Sequence, residues 1–155
     1  MPRFNLHVNG RTHRVETEPE TPLLFVLRND LGLKAAKLAC GLEQCGACKV
    51  LVDGRAVPSC RLPVAQVAHS QIVTLEGINP PGKLHPVQRA FIAEQAAQCG
   101  YCTAGMVLAA IALLDEHPHP DDATIRAAMA RHLCRCGSYD RIRRAIRRAA
   151  QEVNP

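Results

Sequence analysis

Eight cysteines divide without remainder into two sets of four, and no other feature constrains this 155-residue chain as strongly. The first set, Cys40, Cys45, Cys48 and Cys60, is spaced C-x4-C-x2-C-x11-C. The second, Cys99, Cys102, Cys134 and Cys136, is spaced C-x2-C-x31-C-x-C. Such quartets either bind metal or close into disulfides. The opening residues Met1 to Val8 carry no charged segment followed by a long apolar run, so no signal peptide is expected. Metal is then preferred to disulfides, and a cytoplasmic setting follows, unless a partner carrying an export signal takes the chain with it. The longest apolar run, Ala104 to Leu114, is too short to span a bilayer, so no direct membrane insertion is expected.

The spacing of the first set is that of plant-type [2Fe–2S] proteins. One compact loop offers three thiolates, and the fourth arrives from the next hairpin. Gly41 and Gly46 let backbone N–H groups turn inward, where they donate to sulfur and tune the potential. In the second set each pair precedes a predicted helix, whose free N–H groups and positive dipole end favour an anionic cluster. Structural zinc is the main competitor, since four-cysteine zinc sites are common. The C-x4-C-x2-C loop and the close C-x-C pair fit zinc knuckles poorly. A thioredoxin-like role for Cys45-Gly-Ala-Cys48 or Cys99-Gly-Tyr-Cys102 needs a βαβ context that neither motif has. Two [2Fe–2S] clusters are the preferred reading.

The two sets lie in segments of different periodicity. Phe4, Leu6 and Val8 alternate with polar residues, and Asn9-Gly10 predicts a type I′ turn into a second strand. Thr21 is the expected cap of a helix with Pro22 at its first position and a stripe of Leu23, Leu24, Val26, Leu27 and Leu31. The Cys40–Cys48 loop leads to a strand from Lys49, an Asp53-Gly54 turn, a strand toward Cys60 and a closing strand at Ile72–Leu75. Asn79 to Lys83 is rich in chain breakers and reads as a linker. Beyond it the pattern is helical, with helices expected near Pro86–Gln98, Thr103–His117, Asp121–His132 and Tyr139–Val153. The expectation is an α+β chain: a [2Fe–2S] domain over 1–78, a linker over 79–85 and a four-helix [2Fe–2S] domain over 86–155. With three Phe, two Tyr and no Trp, no large aromatic core is expected as the support, a role the metal centres fill.

This order of motifs resembles the iron–sulfur subunit of the xanthine dehydrogenase family, over nearly the whole chain. The stretches that carry the resemblance are Cys40-Gly-Leu-Glu-Gln-Cys-Gly-Ala-Cys48, Gln98-Cys-Gly-Tyr-Cys-Thr103 and Leu133-Cys-Arg-Cys-Gly-Ser-Tyr139. The last of these, with Asp140-Arg-Ile142 after it and His85-Pro-Val-Gln88 upstream, is similar to the isoquinoline oxidoreductase and nicotinate dehydrogenase branch. The resemblance implies a plant-ferredoxin-like β-grasp domain followed by the helical domain. It also implies a large partner subunit holding molybdenum on a pterin, in its cytosine dinucleotide form, which hydroxylates an N-heterocycle or aldehyde with oxygen from water. The cluster of Cys99, Cys102, Cys134 and Cys136 would face the pterin, with Gln98 and Cys136 in contact with it. The plant-type cluster would be the exit toward a cytochrome, flavin (FAD) or quinone acceptor. Three residues depart from the family pattern: Glu43 for a frequent glycine, Lys49 for the usual threonine and Ala104 for a frequent proline.

The formal charge of +5 would fall to about +1 with two oxidised clusters, each about −2 with its thiolates, so it does not point to nucleic acid. Arg141, Arg143, Arg144, Arg147 and Arg148 make the last helix basic, read first as a solvated face and second as a dock for an acidic partner. The seven histidines are not needed as ligands, and Tyr101 and Tyr139 are expected to pack beside the clusters. No catalytic residue for substrate chemistry is visible. The alternative from another class is a free-standing two-cluster ferredoxin.

Overall fold

A computed structural model describes residues 1–153 of the chain. Strands β1 (Arg3–Val8) and β2 (Arg11–Glu16) form the first hairpin, and β3 (Lys49–Val52) and β4 (Arg55–Pro58) the second. A short strand β5 (Gln71–Val73) completes a mixed sheet of order β2-β1-β5-β3-β4. Only the β1–β5 pairing is parallel, with Val8 opposite Ile72. Both hairpins close as their sequences predict: Asn9 and Gly10, then Asp53 and Gly54, all have positive φ, as type I′ turns require. Asn9 does more than turn. Its amide donates to Thr74 Oγ1 at 2.9 Å and accepts from the Thr74 N–H at 2.9 Å, clipping the first hairpin to the segment after β5. Asn9→Ala is expected to lose about 2 kcal/mol, from two hydrogen bonds and a left-handed position that alanine tolerates badly, read by urea denaturation of the holoprotein.

The helix expected after Thr21 differs from its prediction. Pro22 is extended (φ −61°, ψ 134°) and is itself the N-cap, while α1 (Leu23–Phe25) runs directly into a π-turn at Val26–Asp30. The Thr21 hydroxyl lies one residue before that cap, where it accepts from Thr17 Oγ1 at 2.8 Å. The apolar stripe nevertheless does its work: Leu23, Leu24, Val26 and Leu27 are fully buried with Leu6, Val8, Val50 and Ile72 in the first core.

The second half contains α2 (Pro86–Ala93), α3 (Thr103–Glu116), α4 (Asp122–Met129) and α5 (Tyr139–Val153). His85 and Gln88 cap α2 reciprocally. The Val87 N–H donates to His85 Nδ1 at 3.2 Å, and the His85 N–H donates to Gln88 Oε1 at 2.8 Å. The helix stops short of Gln98 because Gln95 turns left-handed (φ 49°) and the Ala96 N–H closes on the Phe91 carbonyl at 2.9 Å. Helix α4 is also shorter than expected, capped by Asp121 Oδ1 and ending before His132. The second core gathers Val87, Phe91, Met106, Leu108, Ile125, Ile142 and Ile146, and takes Leu51 from the sheet. Strand β3 therefore serves both cores, Val50 facing one and Leu51 the other, as the alternation of a strand dictates.

Candidate metal centres

The Cys40–Cys48 loop wraps around its own sulfurs. Gly41 (φ 66°) and Gly46 (φ 77°) bend it left-handed, and Glu43 adopts φ 60°, so the loop does tolerate a side chain there. The N–H groups of Leu42 and Gln44 donate to Cys40 Sγ at 3.3 and 3.4 Å. Burial raises the Cys40 thiol, but these N–H groups and that of Cys45 outweigh it and bring it down to about 7. Cys45 lies within hydrogen-bonding reach of Cys40, and Cys60 within reach of Cys48. Burial pushes Cys48 up to about 11, against the N–H groups of Cys60 and Ser59. Lys49 turns its ammonium to the Ala56 carbonyl at 3.3 Å, and burial lowers its pKa.

The second set collects at the starts of α3 and α5, as its sequence positions predict. Cys102 is the residue before α3, and Cys134 is held by the Ser138 N–H, which donates to its Sγ at 3.4 Å. Cys102 and Cys134 face each other, and burial with Cys134 alongside pushes Cys102 up to about 12. Cys99 is exposed and Cys136 half-buried, so this site opens to the surface, where Gln98 is exposed too. Tyr139 holds the Cys134 loop by accepting from the Cys134 N–H at 2.8 Å, and Tyr101 donates to the Leu38 carbonyl with the Lys37 ammonium over its ring. Leu38, Leu42, Tyr101, Leu133 and Tyr139 are all large apolar side chains left exposed around the two cysteine loops.

Two observations suit binuclear sulfide clusters. The thiols approach in twos, Cys40 with Cys45, Cys48 with Cys60 and Cys102 with Cys134, and a two-iron cluster takes two thiolates per iron. In addition, Thr103 Oγ1 and Ser138 Oγ are buried at the second set without a hydrogen-bond partner in the protein. A buried hydroxyl left unpaired costs about 1–3 kcal/mol, so donors of this kind suit an acceptor such as cluster sulfur.

The two sites adjoin through contacts that sequence reading did not foresee. The Leu133 N–H donates to the Cys45 carbonyl at 2.9 Å, joining the residue before Cys134 to a cysteine of the first set. A Cβ on Gly105 of α3 would lie 2.0 Å from the Gly46 carbonyl oxygen, so only glycine permits this approach. The ring of His132, 3 % exposed, packs against Gly46 as well, and burial with Lys49 nearby lowers its pKa to about 4. A glycine inside an apolar helix was the one signal of this junction in the sequence. Four of the five α5 arginines find acids within the chain: Arg144 and Arg148 reach Glu94 at 3.2 Å, Arg147 reaches Asp122 at 2.6 Å, and Arg143 pairs with Asp140, while Arg141 donates to the Gln95 carbonyl at 3.4 Å.

Comparison with known proteins matches residues 6–71 to a 2Fe-2S iron-sulfur cluster binding domain and residues 74–147 to a second [2Fe-2S] binding domain. One of the nicotinate dehydrogenase subunits of Pseudomonas putida is 53% identical, across 96% of this chain and 94% of that protein. The isoquinoline 1-oxidoreductase alpha subunit of Brevundimonas diminuta is 50% identical, across 94% of this chain and 96% of its own length. In solved structures, a chain of quinoline 2-oxidoreductase from Pseudomonas putida 86 superposes with a TM-score of 0.92 at 36% identity, covering 97% of this chain and 94% of that one. The aldehyde oxidoreductase of Desulfovibrio desulfuricans gives a TM-score of 0.93 at 41% identity, covering 99% of this chain but 17% of that longer one. No helix among the described residues is long and apolar enough to cross a membrane.

Proposed function

Because this chain belongs to the xanthine dehydrogenase family of iron–sulfur subunits, in the branch of nicotinate dehydrogenase and isoquinoline oxidoreductase, we propose that it is the electron-carrying small subunit of a molybdenum hydroxylase. Its two [2Fe-2S]-binding domains make it a component of an oxidoreductase, and the substrate, an N-heterocycle or an aldehyde, is oxidised in a larger partner subunit. Cys40, Cys45, Cys48 and Cys60 hold the plant-type cluster in this reading, and Cys99, Cys102, Cys134 and Cys136 the other. When bound, each cluster takes up and gives back one electron at a time. The division into 1–78, a linker over 79–85 and 86–155 belongs to the same reading, as does a cytoplasmic complex unless a partner's signal exports it.

The observation that carries the proposal is the junction between the two cysteine loops. A chain that merely stored two clusters would have no need to join them by a backbone hydrogen bond of 2.9 Å from Leu133 to Cys45, tightened by a glycine-only contact beside it. The residues fix two redox sites in one frame, with a short covalent and hydrogen-bonded route between them. The exposure of Leu38, Tyr101, Leu133 and Tyr139 supports a subunit over a free carrier, because apolar side chains grouped at a site opening suit a covering partner. Gln98 and Cys136 lie at that opening, consistent with contact to a pterin in the partner, assigned here to its cytosine dinucleotide form. Electrons leave by the first set toward a cytochrome, flavin or quinone acceptor.

The test is to purify the chain from its native host with whatever accompanies it, then measure iron, zinc, molybdenum and acid-labile sulfide and record EPR after dithionite reduction. About four irons and four sulfides per chain, two reduced-cluster signals and molybdenum in the same fraction are expected. Clusters in a chain that runs alone, without molybdenum, would instead favour the free-standing ferredoxin. Zinc without sulfide would overturn both.

A further inference from the structure

Ser138 stands immediately before α5, and its carbonyl accepts the first helical hydrogen bond, from the Ile142 N–H at 3.0 Å. That is the N-cap position, where a serine oxygen ordinarily accepts from the N–H of the second or third helical residue. Here it does not. The residue is 6 % exposed, its Oγ is fully buried, and it has no partner within the protein. The same residue's N–H donates to Cys134 Sγ at 3.4 Å, which turns the serine toward that sulfur. A helix cap has been given up, and a buried hydroxyl is left unpaired on the residue whose N–H already meets the Cys134 sulfur.

Resting on the two-cluster reading above, we infer that Ser138 is a tuning residue for the second cluster: its hydroxyl donates a hydrogen bond to Cys134 sulfur or the sulfide beside it. A donor aimed at sulfur favours the more negative, reduced state, and so raises the cluster's reduction potential. The site that faces the partner is thereby a better electron acceptor than its four thiolates alone would make it. Thr103, whose hydroxyl is buried without a partner next to Cys102, is a second donor of the same kind. Ser138 carries the stronger case, because its residue is the more completely enclosed and its own N–H is already on the sulfur.

The experiment is a redox titration of both EPR signals in the intact complex, comparing wild type with S138A, S138G and S138T. The equilibrium for reducing the second cluster is expected to fall about tenfold in S138A and S138G, a drop of roughly 60 mV for a one-electron couple. The plant-type signal should stay where it is, and S138T, which keeps the hydroxyl, should stay near wild type. Glycine is well tolerated at a helix N-cap, so S138G covers the case in which S138A assembles poorly. An unmoved second potential in a hydroxyl-free variant with full cluster content overturns the inference and leaves the subunit reading intact. Equal shifts of both clusters overturn it as well, since they would report a general loosening. A wild-type complex without two [2Fe–2S] signals defeats the subunit reading itself, a different result from either.

Discussion

Gly105→Ala is expected to be among the most damaging single-methyl changes in the chain, with a loss of about 3 kcal/mol or more. In an ordinary helix interior this exchange is favourable by about 1 kcal/mol, since alanine is the better helix former. Here the added carbon would sit 2.0 Å from a backbone oxygen, that of Gly46, with Ala47 Cα at 3.5 Å. Neither neighbour is a flexible side-chain tip, so α3 and the first cysteine loop must part. Parting them strains the Leu133–Cys45 hydrogen bond and lifts the loop that carries Cys45 and Cys48. The expected signature is twofold: a lower denaturation midpoint and a selective loss of iron from the plant-type site, followed by its EPR signal. A variant as stable as wild type, with both signals intact, would mean that the helix and the loop do not touch.

The second large effect concerns the ligands. Cys134→Ala should reduce iron and labile sulfide from about four to about two per chain and erase one of the two EPR signals. Electron delivery to the external acceptor should fall by orders of magnitude while the partner keeps its molybdenum. Cys134 is buried against Cys102, its sulfur is held by the Ser138 N–H, and its own N–H is bound by Tyr139. Cys40→Ala should give the complementary pattern, losing the other signal and keeping this one. If Cys134→Ala retained four irons, the assignment of the second set would be wrong.

Spacing made two cysteine sets readable, and the structure brings Cys40 to Cys45, Cys48 to Cys60 and Cys102 to Cys134 within them. Turn chemistry made the two hairpins legible: Asn9-Gly10 and Asp53-Gly54 name their own backbone conformations. The end of α2 was hidden because a glutamine, Gln95, takes the left-handed position usually announced by glycine. Thr21 misled for a different reason, as the extended Pro22 is the cap and the Thr21 hydroxyl, one residue earlier, accepts from Thr17. The long-range features were the least visible. Nothing local distinguishes His132 from the exposed histidines, and its burial exists only once α4 ends beside Gly46. The α5 arginines showed their charge but not their partners, Glu94 and Asp122, which are remote in sequence.

The double service of β3 bears on how a unit like this can be inherited. Val50 and Leu51 are successive residues, yet each is part of a different core. A rearrangement that cut the gene between the two cysteine sets would leave Leu51, Val73 and Leu75 bare on one fragment and the inner face of α3 bare on the other. Neither piece would be a finished domain ready for reuse. Exchange, duplication or fusion with a longer reading frame can therefore move the pair of redox sites only as a whole.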